Sequence, residues 1–136
     1  MHLPVFSFLT IADTIMKTIL IIDDEREMLT LLEYLFTQLN YQVHIASKKI
    51  PLFAVRELSP DMVLLDNKLG KELGGDLCVE IKSDLATHHI PVVMLSGDEK
   101  IAEIARDSHA DAWLSKPFDI DRLNKLVNLV LINGKN

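Results

Sequence analysis

The sequence predicts an α/β fold built on a doubly wound, five-stranded parallel sheet. Five short hydrophobic runs alternate along the chain with five segments whose polar and apolar residues follow a helical pattern. Strands that alternate with helices in this way form a parallel sheet with helices on both faces. The length of 136 residues corresponds to a single domain.

The five predicted strands are short, and the third is apolar enough to be buried on both faces. Right-handed crossovers make the flavodoxin-like order 2-1-3-4-5 the simplest arrangement of a (βα)5 chain. The predicted strands span residues 18–22, 41–46, 62–65, 92–95 and 112–114.

The first two predicted helices carry different signals. The first begins after the pair Asp23-Asp24 and ends at Asn40, a residue that tolerates the left-handed conformation. The second covers Ser47 to Leu58, where Pro51 is tolerated only near the start of the helix. The apolar stripe of the first helix consists of Met28, Leu31, Leu32, Leu35, Phe36 and Leu39.

A Gly-rich loop, Asn67 to Gly75, precedes the third predicted helix, which we expect Asp76 to cap. The fourth predicted helix covers residues 99–108, and its apolar face is thin. Asp119 is expected to cap the fifth helix. The apolar residues of the fourth helix are Ile101, Ile104 and alanines, and those of the fifth are Ile120, Leu123, Leu126, Val127, Val130 and Leu131.

Composition narrows the possible functions. The chain has 14 basic and 20 acidic residues and a net charge of −6, so we expect no direct binding to nucleic acid, whose backbone is bound through Lys and Arg. The single cysteine, Cys78, cannot form an internal disulfide, and this favours a reducing, cytoplasmic setting. No segment is apolar over the ~18 residues that a membrane span requires.

Residues 1–16 are expected to be an N-terminal extension outside the core, with the domain spanning residues 17–136. The apolar stretch from Leu3 to Ala12 is short, and no Lys or Arg precedes Lys17, unlike the start of a secretory signal. An edge strand or a small packing arm is the alternative interpretation of this segment.

Polar residues with complementary charges end the predicted strands. Because parallel strands place their carboxyl ends at one edge of a sheet, we expect these side chains to converge there. Carboxylates ~4 Å apart repel by about 4 kcal/mol at an effective dielectric constant near 20, so the cluster requires a cation, and Mg2+ fits best. The residues are Asp23, Asp24, Asp66, Ser96 and Lys116, the last of which can bind a phosphoryl group.

From Lys17 to the C-terminus the chain resembles the receiver domains of response regulators in bacterial two-component signalling. Four stretches carry the resemblance, and together they are highly specific. They are Thr18-Ile-Leu-Ile-Ile-Asp-Asp-Glu25, Pro60-Asp-Met-Val-Leu-Leu-Asp66, Pro91-Val-Val-Met-Leu-Ser-Gly97 and Trp113-Leu-Ser-Lys-Pro-Phe118.

The resemblance implies a role for each residue at the sheet edge. Asp66 would accept a phosphoryl group from a sensor histidine kinase or a histidine phosphotransfer protein, and Lys116 and Ser96 would contact that group. Asp23, Asp24 and Asp66 would hold Mg2+ together with the backbone carbonyl of Lys68. The resemblance also implies a cis Lys116–Pro117 bond.

The same resemblance implies a switch. Ser96 and Trp113 would be its moving parts, and a downstream protein would bind the face made by the fourth helix, the fifth strand and the fifth helix. The chain would then be a stand-alone receiver, a monomer or weak homodimer, with no enzymatic activity beyond its own phosphorylation and autodephosphorylation.

The chain departs from the family pattern near the acceptor. Gly70 occupies the place where relatives usually have proline, and we expect a more mobile loop because Gly is costly to order. Lys68 and Asp98 could pair across the site and modulate the phosphoryl group, or they could both be solvated surface charges.

The alternative function is a receiver-fold adaptor that signals without phosphorylation. The intact acidic pair, acceptor, hydroxyl and lysine argue against it, whereas Lys68 and the unusual loop leave it open. A flavin-binding electron carrier shares the strand order, but the acidic edge would repel its phosphate.

Overall fold

The structure, a computed structural model, describes residues 16–133. The strands of its main sheet are β1 (Thr18–Ile22), β2 (Gln42–Ala46), β3 (Met62–Asp66), β6 (Val92–Ser96) and β7 (Ala112–Ser115). These five strands are parallel and lie in the order β2-β1-β3-β6-β7, which is the predicted order 2-1-3-4-5. The prediction of the fold class is therefore confirmed.

Five helices cover the two faces of the sheet. The alternation of strand side chains explains the arrangement, because successive residues of a strand point to opposite faces. The helices are α1 (Arg26–Gln38), α2 (Leu52–Leu58), α3 (Gly74–Ser83), α4 (Ile101–Asp107) and α5 (Ile120–Asn133). In β1, Leu20 and Ile22 belong to the hydrophobic cluster that includes residues of α2, α3 and α4, whereas Ile19 and Ile21 belong to the cluster that includes residues of α1 and α5.

The segment after β3 contains a small hairpin that the sequence analysis described only as a Gly-rich loop. Strands β4 (Lys68–Leu69) and β5 (Glu72–Leu73) pair antiparallel, and Gly70 adopts a φ of 64° at the turn. Helix α3 then begins at Gly74 with Leu73 at the N-cap position, so the prediction that Asp76 caps it is wrong. Asp76 lies in the first turn, where its negative charge interacts favourably with the helix dipole.

Two helices are shorter than predicted. Residues 47–51 precede α2, because Pro51 is extended (φ −72°, ψ 154°) and stands at the N-cap position. Helix α4 covers only Ile101–Asp107. The cap of α5 is confirmed, since the Asp121 backbone N–H donates to Asp119 Oδ1 at 2.8 Å. The left-handed conformation expected at Asn40 is also confirmed, with a φ of 69°.

None of the helices between residues 16 and 133 is long and apolar enough to cross a membrane. The predicted N-terminal extension lies outside the described residues, except for Met16, which is exposed.

Candidate functional site

Three aspartates form an acidic cluster at the carboxyl edge of the sheet. Asp23 and Asp24 follow β1, and Asp66 ends the neighbouring strand β3. Each offers one carboxylate oxygen, and these oxygens all lie within 4.8 Å of one another. Asp23 and Asp66 are buried and Asp24 is exposed. The sequence prediction therefore placed these three carboxylates together correctly.

Lys116 brings a cation into this cluster from the end of β7. Its Nζ lies 2.8 Å from Asp23 Oδ2, 2.7 Å from Glu25 Oε1 and 3.5 Å from Asp66 Oδ2. Its backbone N–H donates to the carbonyl oxygen of Ser96 at 2.8 Å, which ties the end of β7 to the end of β6. The peptide bond from Lys116 to Pro117 is cis, as expected.

Ser96 is the buried hydroxyl at the end of β6. Its Oγ accepts a hydrogen bond from the Asp98 backbone N–H at 3.1 Å, so its own O–H stays available to donate to a ligand. Ser96, Asp66 and Lys116 line one open cavity of about 680 Å³. A group attached to Asp66 would therefore share this space with the hydroxyl and the ammonium.

The site shifts the pKa of two of its members. The pKa of Asp66 is raised to about 6. Burial is the main cause and the charges of Asp23 and Asp24 act in the same direction, while the Lys116 ammonium and a backbone hydrogen bond from Lys68 oppose the rise. Burial lowers the pKa of Lys116, but hydrogen bonds to Asp23 and Glu25 outweigh it and leave that pKa raised. Lys116 is therefore the stable positive charge of the site.

The donor set fits a magnesium ion. Mg2+ prefers oxygen ligands and is usually held by one or two carboxylates with several waters, and the cluster offers three carboxylates beside an open cavity. Three mutually repelling carboxylates facing one ammonium leave negative charge that a divalent cation would neutralise.

Lys68 and Asp98 both line the cavity, but they form no ion pair in the described part of the chain. The Asp98 carboxylate instead accepts the backbone N–H of Lys100 at 2.8 Å. This contact orients Asp98 toward the start of α4, and the modulating role of the two residues stays a prediction.

Two contacts of the site were missed by the sequence analysis. Gly70 donates its backbone N–H to Asp24 Oδ2 at 3.1 Å, a bond that proline at this place would be unable to make. Glu25 also takes part in the site, because its Oε1 accepts a hydrogen bond from Lys116 Nζ.

Trp113 lies on β7 away from the acidic cluster. Its side chain is 44% exposed, and it lines a second open cavity, of about 590 Å³, with residues of α4 such as Ala102 and Arg106. An aromatic ring beside this space has room to change its position.

The fold and the site define a class of protein, and a family comparison agrees. The model of the response regulator receiver domain matches residues 19–128, so the chain belongs to this family. It is similar to the DNA-binding dual master transcriptional regulator RpaA of Synechocystis sp., with 34% identity over 85% of this chain and 49% of that protein. It is also similar to the transcriptional regulatory protein CpxR of Klebsiella pneumoniae, with 32% identity over 85% of this chain and 50% of that protein.

Solved structures agree with the family. A putative response regulator from Chloroflexus aurantiacus superposes with a TM-score of 0.80 at 27% identity, covering 86% of this chain and 98% of that one. The chain spans about half the length of the two curated regulators.

Proposed function

We propose that this chain is a phospho-accepting response regulator in which Asp66 receives a phosphoryl group from a sensor histidine kinase or a histidine phosphotransfer protein. The observation that carries the proposal is the convergence of Asp66 with Asp23, Asp24 and Lys116 at one edge of the sheet. Membership of the receiver family supports the same conclusion.

Each residue has a defined part in the transfer. A carboxylate oxygen of Asp66 forms a bond to phosphorus while the bond from phosphorus to the donor nitrogen breaks. Lys116 pairs with the phosphoryl oxygens, and the free O–H of Ser96 donates to one of them. Mg2+, held by Asp23, Asp24, Asp66 and the backbone carbonyl of Lys68, would supply positive charge that neutralises the transferring oxygens.

The proposed output is a change of protein partner. Phosphorylation gives Ser96 a new acceptor, and movement of that hydroxyl would free space beneath α4 for Trp113. A downstream protein would then bind the face made by α4, β7 and α5. The chemistry of the chain itself would be limited to its own phosphorylation and autodephosphorylation.

The adaptor that works without phosphorylation is the less favoured function. An adaptor has no need for a buried acceptor carboxylate whose ammonium and hydroxyl partners share one cavity, and this chain has all three. The unusual hairpin after β3 changes the surroundings of the acceptor without removing any of these groups.

Intact-mass measurement after treatment with acetyl phosphate and Mg2+ tests the proposal. We expect the wild-type chain to gain one phosphoryl group, and we expect no gain with EDTA present. Glu80→Gln is the control, because it removes an exposed carboxylate of α3 that does not line the cavity, and it should still be labelled. Labelling that ignores EDTA would contradict the proposal.

A further inference from the structure

We propose that Glu25 is a positioning residue that holds the Lys116 ammonium in the resting site and releases it when Asp66 carries a phosphoryl group. The inference rests on the proposed function of Asp66 and adds a regulatory element to the same site. It makes Glu25 a competitor of the phosphoryl group for one lysine.

The distances show where Lys116 is bound. A lysine ammonium has three N–H donors, and Lys116 uses one on Glu25 Oε1 at 2.7 Å and one on Asp23 Oδ2 at 2.8 Å. Its distance to Asp66 Oδ2 is 3.5 Å, beyond the usual hydrogen-bond range of about 2.7–3.2 Å. In the resting site the ammonium is therefore bonded to the neighbours of the acceptor and not to the acceptor itself.

The position of Glu25 makes this contact unusual. Glu25 stands at the N-cap of α1, where a short side chain such as Ser or Asp would accept a backbone N–H of the first turn, and Glu25 makes no such bond. Its carboxylate reaches Lys116 instead. Its backbone N–H donates to Asp23 Oδ1 at 2.8 Å, so the same residue also orients the second carboxylate that binds the lysine.

Of the two carboxylates that bind Lys116, that of Glu25 is the one that can release the ammonium. Its side chain is 60% exposed, so it can turn into water, whereas the Asp23 side chain is 2% exposed and fixed by the Glu25 N–H. Exposed ion pairs are weak, and hydrogen bonds between a cation and phosphoryl oxygens are strong. A phosphoryl group on Asp66 should therefore displace Glu25 from Lys116.

Replacement of the Glu25 carboxylate by an uncharged amide of similar shape tests this competition for Lys116. In Glu25→Gln the apparent dissociation constant for beryllofluoride, a phosphoryl mimic, should fall roughly two- to fivefold at saturating Mg2+, the range expected for loss of one exposed ion pair. Glu27→Gln is the matched control, since Glu27 is an exposed acid in the first turn of the same helix and makes no ion pair with Lys116 in residues 16–133. Its affinity should equal that of the wild type.

A spectroscopic signature separates this role from a purely structural one. With 15N-labelled lysine, the Lys116 Nζ resonance should differ between wild type and Glu25→Gln in the resting protein. The two resonances should converge once beryllofluoride is bound, because Glu25 no longer holds the ammonium in either protein.

Three outcomes would overturn the inference. The first is an equal effect of Glu25→Gln and Glu27→Gln on affinity, which would indicate an effect of net charge alone. The second is an unchanged affinity of Glu25→Gln for beryllofluoride. The third is a difference in the Lys116 resonance that persists in the bound state, with the wild type binding beryllofluoride normally. If the wild type itself binds no beryllofluoride, the proposed function fails and this inference fails with it.

Discussion

Three glycines near Asp66 are subject to different physical constraints. A Cβ at Gly74 would collide with the backbone oxygen of Asp66, a clash that no side-chain movement can relieve. Gly70 has open space around it but a φ of +64°, where side chains other than Gly are strained. Gly97 has open space and none of this strain. Alanine at each position therefore isolates one constraint.

We predict a graded series in the free energy of unfolding measured with urea. Gly97→Ala should change it by less than ~0.5 kcal/mol, Gly70→Ala should lower it by about 1 kcal/mol, and Gly74→Ala should lower it by ~3 kcal/mol or more. Gly70→Asn should cost less than Gly70→Ala, because Asn tolerates the left-handed region. Equal stability of Gly74→Ala and Gly97→Ala would contradict the assigned backbone contact.

The thiol of Cys78 should be inert in the folded protein. Its pKa is raised to about 12, chiefly by burial, while the charge of Lys82 opposes the rise and that of Asp111 supports it. Since the thiolate is the reactive form, the raised pKa leaves very little of the reactive form at neutral pH. A disulfide-exchange reagent at pH 8 should therefore react slowly with the native chain and quickly in urea. Equal rates would show that the side chain is accessible.

At the scale of single elements, α4 is a short helix with few buried residues. It spans seven residues and buries only Ile101 and Ala105, and α2, of the same length, buries only Val55. Helix α3 buries the larger set Gly74, Gly75, Leu77, Cys78 and Ile81. Fewer buried apolar contacts mean a smaller free energy of local opening. The thin apolar face of α4 was visible in the sequence. Because α4 also lies beside Trp113, it is the one of these two short helices that suits the moving element of the proposed switch.

Trp113 should report the movement of this element. It is the only tryptophan of the chain, and it is 44% exposed beside α4. We predict that beryllofluoride with Mg2+ changes its fluorescence emission in the wild type, because the ring moves when Ser96 is drawn toward the mimic. Asp66→Ala should show no change. An unaltered spectrum, with binding of beryllofluoride shown independently, would contradict the proposed coupling between Asp66 and the face made by α4, β7 and α5.

The sequence predicted strands better than helix ends. Hydrophobic runs mark buried strands directly, and the polar residue that ends each run marks the sheet edge, so Asp66 and Ser96 were placed correctly. Helix starts depend on local backbone geometry, and the extended conformation of Pro51 moved the start of α2 to Leu52. The hairpin at Lys68–Leu73 was missed because two-residue strands show no hydrophobic period.

At the scale of the whole molecule, the position of the candidate site follows from the topology of the sheet, whereas its individual side-chain contacts do not. Any parallel sheet with this strand order brings the ends of β1, β3, β6 and β7 to one edge. The contacts of Glu25 with Lys116 and of Gly70 with Asp24 depend on individual rotamers and on a turn. Such contacts span distant parts of the chain and leave no periodic signal in the sequence.

Removal of residues 1–15 should leave the domain stable and able to bind beryllofluoride. Residues 16–133 already supply all five strands and both helix layers of the core. The melting temperature should stay within about 4 °C of that of the full chain, which corresponds to ~1 kcal/mol for a domain of this size. A larger fall, or loss of binding, would favour the alternative of an arm packed on the core.

The central claim is that Asp66 is the phosphoryl acceptor, and chemical trapping of the acyl phosphate tests it most directly. Borohydride reduces an aspartyl phosphate to homoserine, which peptide mass spectrometry can locate in the chain. After treatment with acetyl phosphate and Mg2+ we predict homoserine at position 66 alone, and none in Asp66→Asn. Homoserine at Asp23, Asp24 or Asp98 in place of position 66, or undiminished phosphorylation in Asp66→Asn, would contradict the account.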